Sequence, residues 1–180
     1  MKNLLALLLC TAVLSSCVSY HSGMRDGKNF PGIASITIVN LTKDGSLSGT
    51  MKREIYEQFQ TRPGLCRRKG SEDGVNLTIT LVSQDTKNIA RAEMRDHLSR
   101  DKDDKAYQTV LSRVFIDAKY VVSDNEGTDL LTGTIRGQGD LPWMNDQNIA
   151  YQNACNHAIL DVARQMADAL TDAVWTKDGK

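Results

Sequence analysis

The side chains able to do bond-making chemistry are few and scattered. The three histidines, His21, His97 and His157, share no His-Glu-x-x-His spacing, and the four cysteines form no Cys-x-x-Cys pair. A metal site therefore lacks its usual ligand pattern. Cys155 and His157 are two apart in a helical stretch, a spacing that turns them away from each other. There is no Gly-x-Ser-x-Gly elbow and no Gly-Lys-Ser/Thr phosphate loop. Gly137-Gln138-Gly139-Asp140 lacks the third glycine of a dinucleotide loop and reads as the exit from a strand. The expectation is a protein that is not an enzyme, with no metal and no cofactor. What remains is binding chemistry. Lys87, Arg91 and Arg95 recur every four residues, at the same parity, in an extended stretch. Guanidinium and ammonium groups so placed suit phosphate oxygens. The same residues also fit a solvated charged loop, because Glu93, Asp96, Asp103 and Asp104 dilute the charge.

The remaining reactive group is the Cys17 thiol. Lys2 and the apolar run Leu4–Leu14 form the charged and hydrophobic regions of a secretory signal. That run is too short to span a bilayer comfortably. It ends in Leu14-Ser15-Ser16-Cys17, which resembles the bacterial lipobox: an aliphatic residue, two small ones, then cysteine. The resemblance implies diacylglycerylation of the thiol, cleavage before Cys17 and acylation of the new amine. Three acyl chains, palmitate among them, would anchor the chain stably at ~0.8 kcal/mol per buried methylene. Val18 follows, with no aspartate to suggest inner-membrane retention. By resemblance to lipoprotein sorting signals of Gram-negative bacteria, the expected location is the outer membrane, on its periplasmic side. Cys66 and Cys155 then lie in an oxidising compartment, where they either form a disulfide or stay as two buried thiols.

The elements that would position these groups follow from periodicity. Residues 1–16 are the signal, residues 17–30 a lipidated tether, and residues 31–176 a single α+β domain. With 22 basic and 22 acidic residues there is no field of one sign, so nucleic acid is not an expected partner. Hydrophobic residues at 41% suffice for a packed core. Ile33–Leu41 is β-branched and reads as a strand. Leu47, Met51, Ile55 and Phe59 mark an amphipathic helix capped by Ser46 or Ser48 and ended by Pro63-Gly64. Val75–Leu81 and Thr109–Val122 alternate as strands, and Leu130–Arg136 is a shorter one. Cys155, Ile159, Val162, Met166 and Leu170 stripe a long helix that starts after Asn145-Asp146 and ends near Trp175. The order β-α-β-β-β-α gives a two-layer sandwich: a four-stranded sheet with two helices on one face. Centring the turn between the second and third strands on Asp101-Lys102 pairs Leu81 with Val122 and aligns both apolar sets. Continued past Leu81, the same alternation puts Ser83, Asp85, Lys87, Arg91 and Arg95 on the helix side of a protruding hairpin.

This layout resembles the lipopolysaccharide-assembly lipoprotein family, LptE. The carrying features are the lipobox with Tyr20 close behind it and Pro31-Gly32-Ile33-Ala34-Ser35-Ile36 leading into Asn40-Leu41-Thr42. A helix ending in Phe59, the Val75–Leu81 strand and the Tyr107–Asp124 strand with its Gly-bearing turn follow in order. A fourth strand containing glycine and the Ala-rich Ala163–Trp175 helix complete it. Val18 departs from the glycine often found there, and Cys66-Arg67-Arg68-Lys69 has no counterpart. The resemblance implies a noncatalytic lipoprotein that plugs and helps assemble the outer-membrane lipopolysaccharide translocon barrel and binds lipopolysaccharide during export. The alternative from the same build is a periplasm-facing lipoprotein that engages a cell-wall synthase or a secretion complex.

Overall fold

The computed structural model describes residues 30–62, 65, 74–94, 106–143, 145–173 and 175. Cys17, Cys66, Arg95, Pro63-Gly64 and the Asp101-Lys102 turn lie outside the described residues. Four strands, β1 (Ile33–Asn40), β2 (Val75–Met94), β3 (Ala106–Ser123) and β4 (Asp129–Pro142), form one sheet in the order β1-β2-β3-β4. Two helices, α1 (Leu47–Gln60) and α2 (Gln147–Asp172), complete the expected β-α-β-β-β-α order. β1 and β2 are parallel, so the chain must cross over between them, and α1 is that crossover.

Asn40 stops β1. Its Oδ1 accepts from the Thr42 N–H at 2.9 Å and its amide donates to the Asp44 carbonyl at 2.8 Å. Ser46 holds the N-cap position of α1, but its hydroxyl donates to Asp44 Oδ1 at 2.6 Å and makes no cap bond. Asp146 does cap α2: its carboxylate accepts from the Asn148 and Ile149 N–H groups, both at 3.1 Å. Leu47, Met51, Ile55 and Phe59 of α1 are buried, as their four-residue spacing requires. They share one core with Leu77, Ile79 and Leu81 of β2, Val114, Ile116 and Val122 of β3, and the α2 stripe through Leu170. Arg62, just past α1, binds Asp168 of α2 at 2.8 Å and ties the two helices together.

Three expectations about the strands need correction. The β2–β3 register pairs Leu81 with Ala118 and Leu77 with Val122, four residues away from the expected Leu81–Val122 pairing. An even shift preserves the side-chain face, so the core assignment survives it. β2 and β3 are longer than their alternating runs, and β4 continues through Gly137-Gln138-Gly139-Asp140 rather than exiting there. Those glycines face α2. A methyl group on Gly137 would overlap the Ala158 carbonyl, and one on Gly139 the Ala154 carbonyl. Glycine is needed because a helix backbone lies against this strand, not because the strand ends.

The third correction concerns the face of the hairpin. The β2–β3 ladder shifts register between Leu81 and Ser83, leaving Val82 as one extra residue. From Gln84 to Asn88 the even-numbered residues of β2 lie on the helix side. Gln84 reaches α2, donating to Tyr151 Oη at 2.9 Å and to Cys155 Sγ at 3.3 Å. Ser83 turns to the opposite, uncovered face, where its hydroxyl donates to Asp117 Oδ2 at 2.8 Å. Lys87 stands there too, with Nζ 5.8 Å from the centre of the Phe115 ring.

Candidate functional site

Among the described residues, the sheet face opposite the helices has no covering layer. Its ranks follow from the register. Thr37, Thr78, Val121 and Thr132 lie side by side across the four strands, and Val39, Thr80, Lys119 and Thr134 form the next rank. β-branched residues with one hydroxyl suit an extended backbone whose side chains meet water. Towards the hairpin the face becomes ionic. Arg136 on β4 grips Asp117 on β3 with two bonds, Nε–Oδ1 at 2.6 Å and Nη2–Oδ2 at 3.0 Å. Arg113 binds Asp140 at 2.6 Å and touches Gln138 at 3.3 Å. Phe115 sits between them, with the Arg136 guanidinium carbon and Lys87 Nζ each 5.8 Å from its centre.

The hydrogen bond from Arg136 holds the Asp117 carboxyl below the usual carboxylate range; burial opposes it, and Ser83 and Lys87 reinforce it. The same bond raises Arg136 above its ordinary value. The cluster sets three basic side chains, Lys87, Arg113 and Arg136, beside Asp85, Asp117 and Asp140. Lys87 is the most loosely held: its nearest carboxylate oxygen, on Asp85, is 4.0 Å away and its side chain is 62% exposed. It is the cation in this group most available to an external anion.

Of the residues expected to hold phosphate, Lys87 and Arg91 are both exposed on β2, and Arg95 lies outside the described residues. Their common parity does not carry them to one side. Two further irregularities, between Asn88 and Ala90 and between Ala90 and Arg91, separate Lys87 from Arg91. The structure groups Lys87 instead with Arg113, Phe115 and Arg136. Arg113, Asp117 and Lys119 share a face in the sequence pattern. Arg136 could not be added to them without knowing that β4 pairs with β3 at Asp117.

Cys155 is a free, buried thiol. Burial pushes its pKa up, so it stays protonated and unreactive at neutral pH. Burial likewise raises the Tyr151 hydroxyl. Among the described residues no three of His, Cys, Asp and Glu gather as a metal site, and no helix is long and apolar enough to cross a membrane.

The fold and this face define a two-layer α+β domain with an open sheet and a mixed-charge cluster at the root of a long hairpin. A scan for protein families finds no match, and no curated protein matches. Among solved structures, the chain is similar to a minor lipoprotein from Acinetobacter baumannii. The identity is 12%, with 76% of this chain and 90% of that chain covered, at a TM-score of 0.45. It is also similar to a putative lipoprotein from Caulobacter crescentus CB15 (11%, 74% and 87%, 0.44). The rare lipoprotein B from Shewanella oneidensis gives 10%, 76% and 89%, and 0.42.

Proposed function

We propose that this chain is a noncatalytic lipoprotein, anchored through Cys17 on the periplasmic side of the outer membrane. There it seats in and helps assemble the lipopolysaccharide translocon barrel and contacts lipopolysaccharide during export. The observation that carries the anchor is Leu14-Ser15-Ser16-Cys17 at the end of an apolar run. The uncovered sheet face supports the barrel reading. Its Thr ranks and paired charges suit the polar, solvated inner wall of a barrel better than a hydrocarbon environment. Exposed Lys87 and Arg91, with Arg113 and Arg136 close to Lys87, support contact with glycolipid phosphates. Lipid on Cys17 is tested by mass spectrometry of the membrane-extracted protein: an acylated Cys17 peptide is expected, and an unmodified one in a soluble protein contradicts the anchor. Pull-down of the full chain from solubilised membranes separates the partners. A β-barrel supports this reading, and a cell-wall synthase or secretion-complex component supports the alternative.

A further inference from the structure

We propose that β1 is a pairing edge for a second copy of this chain, the two β1 strands running antiparallel about a two-fold axis at Thr37. This goes beyond the anchor and barrel readings and rests on neither. The two outer strands of the sheet are finished differently. On β4 the Gln138 N–H donates to Asp161 of α2, and the Arg136 carbonyl accepts from Gln165, both at 3.1 Å. β1 pairs only with β2 among the described strands. The Leu41 N–H reaches the Leu81 carbonyl at 2.9 Å, and the register is regular from Ser35 to Asn40. Main-chain groups alternate in direction along a strand. Ser35, Thr37 and Val39 therefore turn theirs to β2, and Ile36 and Ile38 turn theirs outward. Among the described residues no side chain caps those outward groups. An uncapped edge is a template for another strand.

Charge, self-complementarity and the helix layer select a second copy as the occupant. β1 alone of these four strands carries no charged residue, so laid against itself it sets no like charges opposite each other. With the axis at Thr37, Ile36 meets Ile38 of the second copy on the helix side and exchanges its main-chain hydrogen bonds with it. Thr37 then meets Thr37 on the open side, with Ser35 opposite Val39 beside it. An axis at Ile36 would draw in the irregularity between Ile33 and Ser35. An axis at Ile38 would set Ile36 against Asn40, whose side chain is already bound to Thr42 and Asp44. Neighbouring strands lie about 4.8 Å apart and packed helices about 10 Å, so two helices cover about four strands. A second copy joined at β1 would bring its own α1 about one helix width from the first, on the same side of the sheet. Ile36 and Ile38, half-buried at the rim of the core, would be enclosed under that joined layer. A lone strand from another protein brings no such cover.

Sedimentation of the full chain, purified in detergent, over a concentration series tests this. A reversible dimer is expected. Thr37 is exposed, so Thr37→Lys should leave the thermal melt unchanged while it sets two ammonium groups opposite each other. It should weaken the dimer by about tenfold or more. A chain that stays monomeric, or a dimer that Thr37→Lys leaves intact, overturns the proposal. The register is read in cells by cysteine crosslinking with Cys66→Ser, the parent without an added cysteine setting the background. Thr37→Cys should link most of the chain to a second copy, since facing Cα atoms in such a pair lie about 4.5–5.5 Å apart, within reach of a disulfide. Val39→Cys should link less than about a tenth, because the two copies of that residue would lie about 14 Å apart along the strands. No Thr37→Cys adduct above background, equal linking at both positions, or an adduct only with a different protein overturns it.

Discussion

Val82 has no partner residue on β3, and that one extra residue sets the direction of every side chain after it in the root of the hairpin. It aims Gln84 at Tyr151 and Cys155, and it sends Ser83, Asp85 and Lys87 to the open face. Asp117 is the pivot of that face. Its folded-state pKa lies below the unfolded value of about 3.9, so its contribution to stability is fully present above that value. The contribution is lost as pH falls through the lower, folded-state pKa. Asp117→Asn should cost less than about 1 kcal/mol at pH 7, because the pair is partly solvated. In urea melts the gap between the two proteins should close as pH drops below about 4; a gap that widens in acid contradicts the ion pair. Lys87→Gln with Arg91→Gln and Arg95→Gln should leave the melting temperature within a few degrees, because the two described residues are exposed. The same protein should lose lipopolysaccharide binding by tenfold or more. Unchanged binding would make the hairpin a solvated loop.

At the scale of elements, the two faces of β2 offer a sharp contrast. Ile79 is fully buried between Ile38 of β1 and Tyr120 of β3, while Thr78 points to the open face. Ile79→Asp should cost about 4 kcal/mol or prevent folding, since it buries an unpaired charge. Thr78→Asp should cost about 1 kcal/mol or less, and equal losses in chemical denaturation would mean the face is misassigned. Gly139→Val should cost about 2–3 kcal/mol, because its side chain would strike the α2 backbone at Ala154. The element order, α1 and its buried stripe, and the core parity of β2 and β3 were legible in the sequence, because burial on one face writes a period into the residue types. The strand lengths were not. The Asp85–Ile89 and Gly137–Asp140 stretches lack an apolar alternation, since one is exposed and the other meets a helix backbone. Nor was the Val82 bulge legible, because valine at that position is an ordinary strand residue whose extra count appears only against a partner. The Lys87–Arg113–Arg136 grouping was hidden for the same reason: it is made by pairing three strands.

Across the whole molecule, the open sheet face and the guarded edge of β4 point the same way. On that edge Asp161 of α2 accepts from the Gln138 N–H at 3.1 Å, and Gln165 donates to the Arg136 carbonyl at 3.1 Å. An outer strand so capped is a poor template for adding another strand. A partner is therefore more readily met by the face and the hairpin than by extending the sheet at β4. We propose that this partner is an outer-membrane β-barrel. Its most direct test is purification of the full lipidated chain from detergent-solubilised membranes, followed by identification and quantification of what accompanies it. A β-barrel protein in near-stoichiometric amount is expected. A cell-wall synthase or a secretion component in its place, with no barrel, would contradict it.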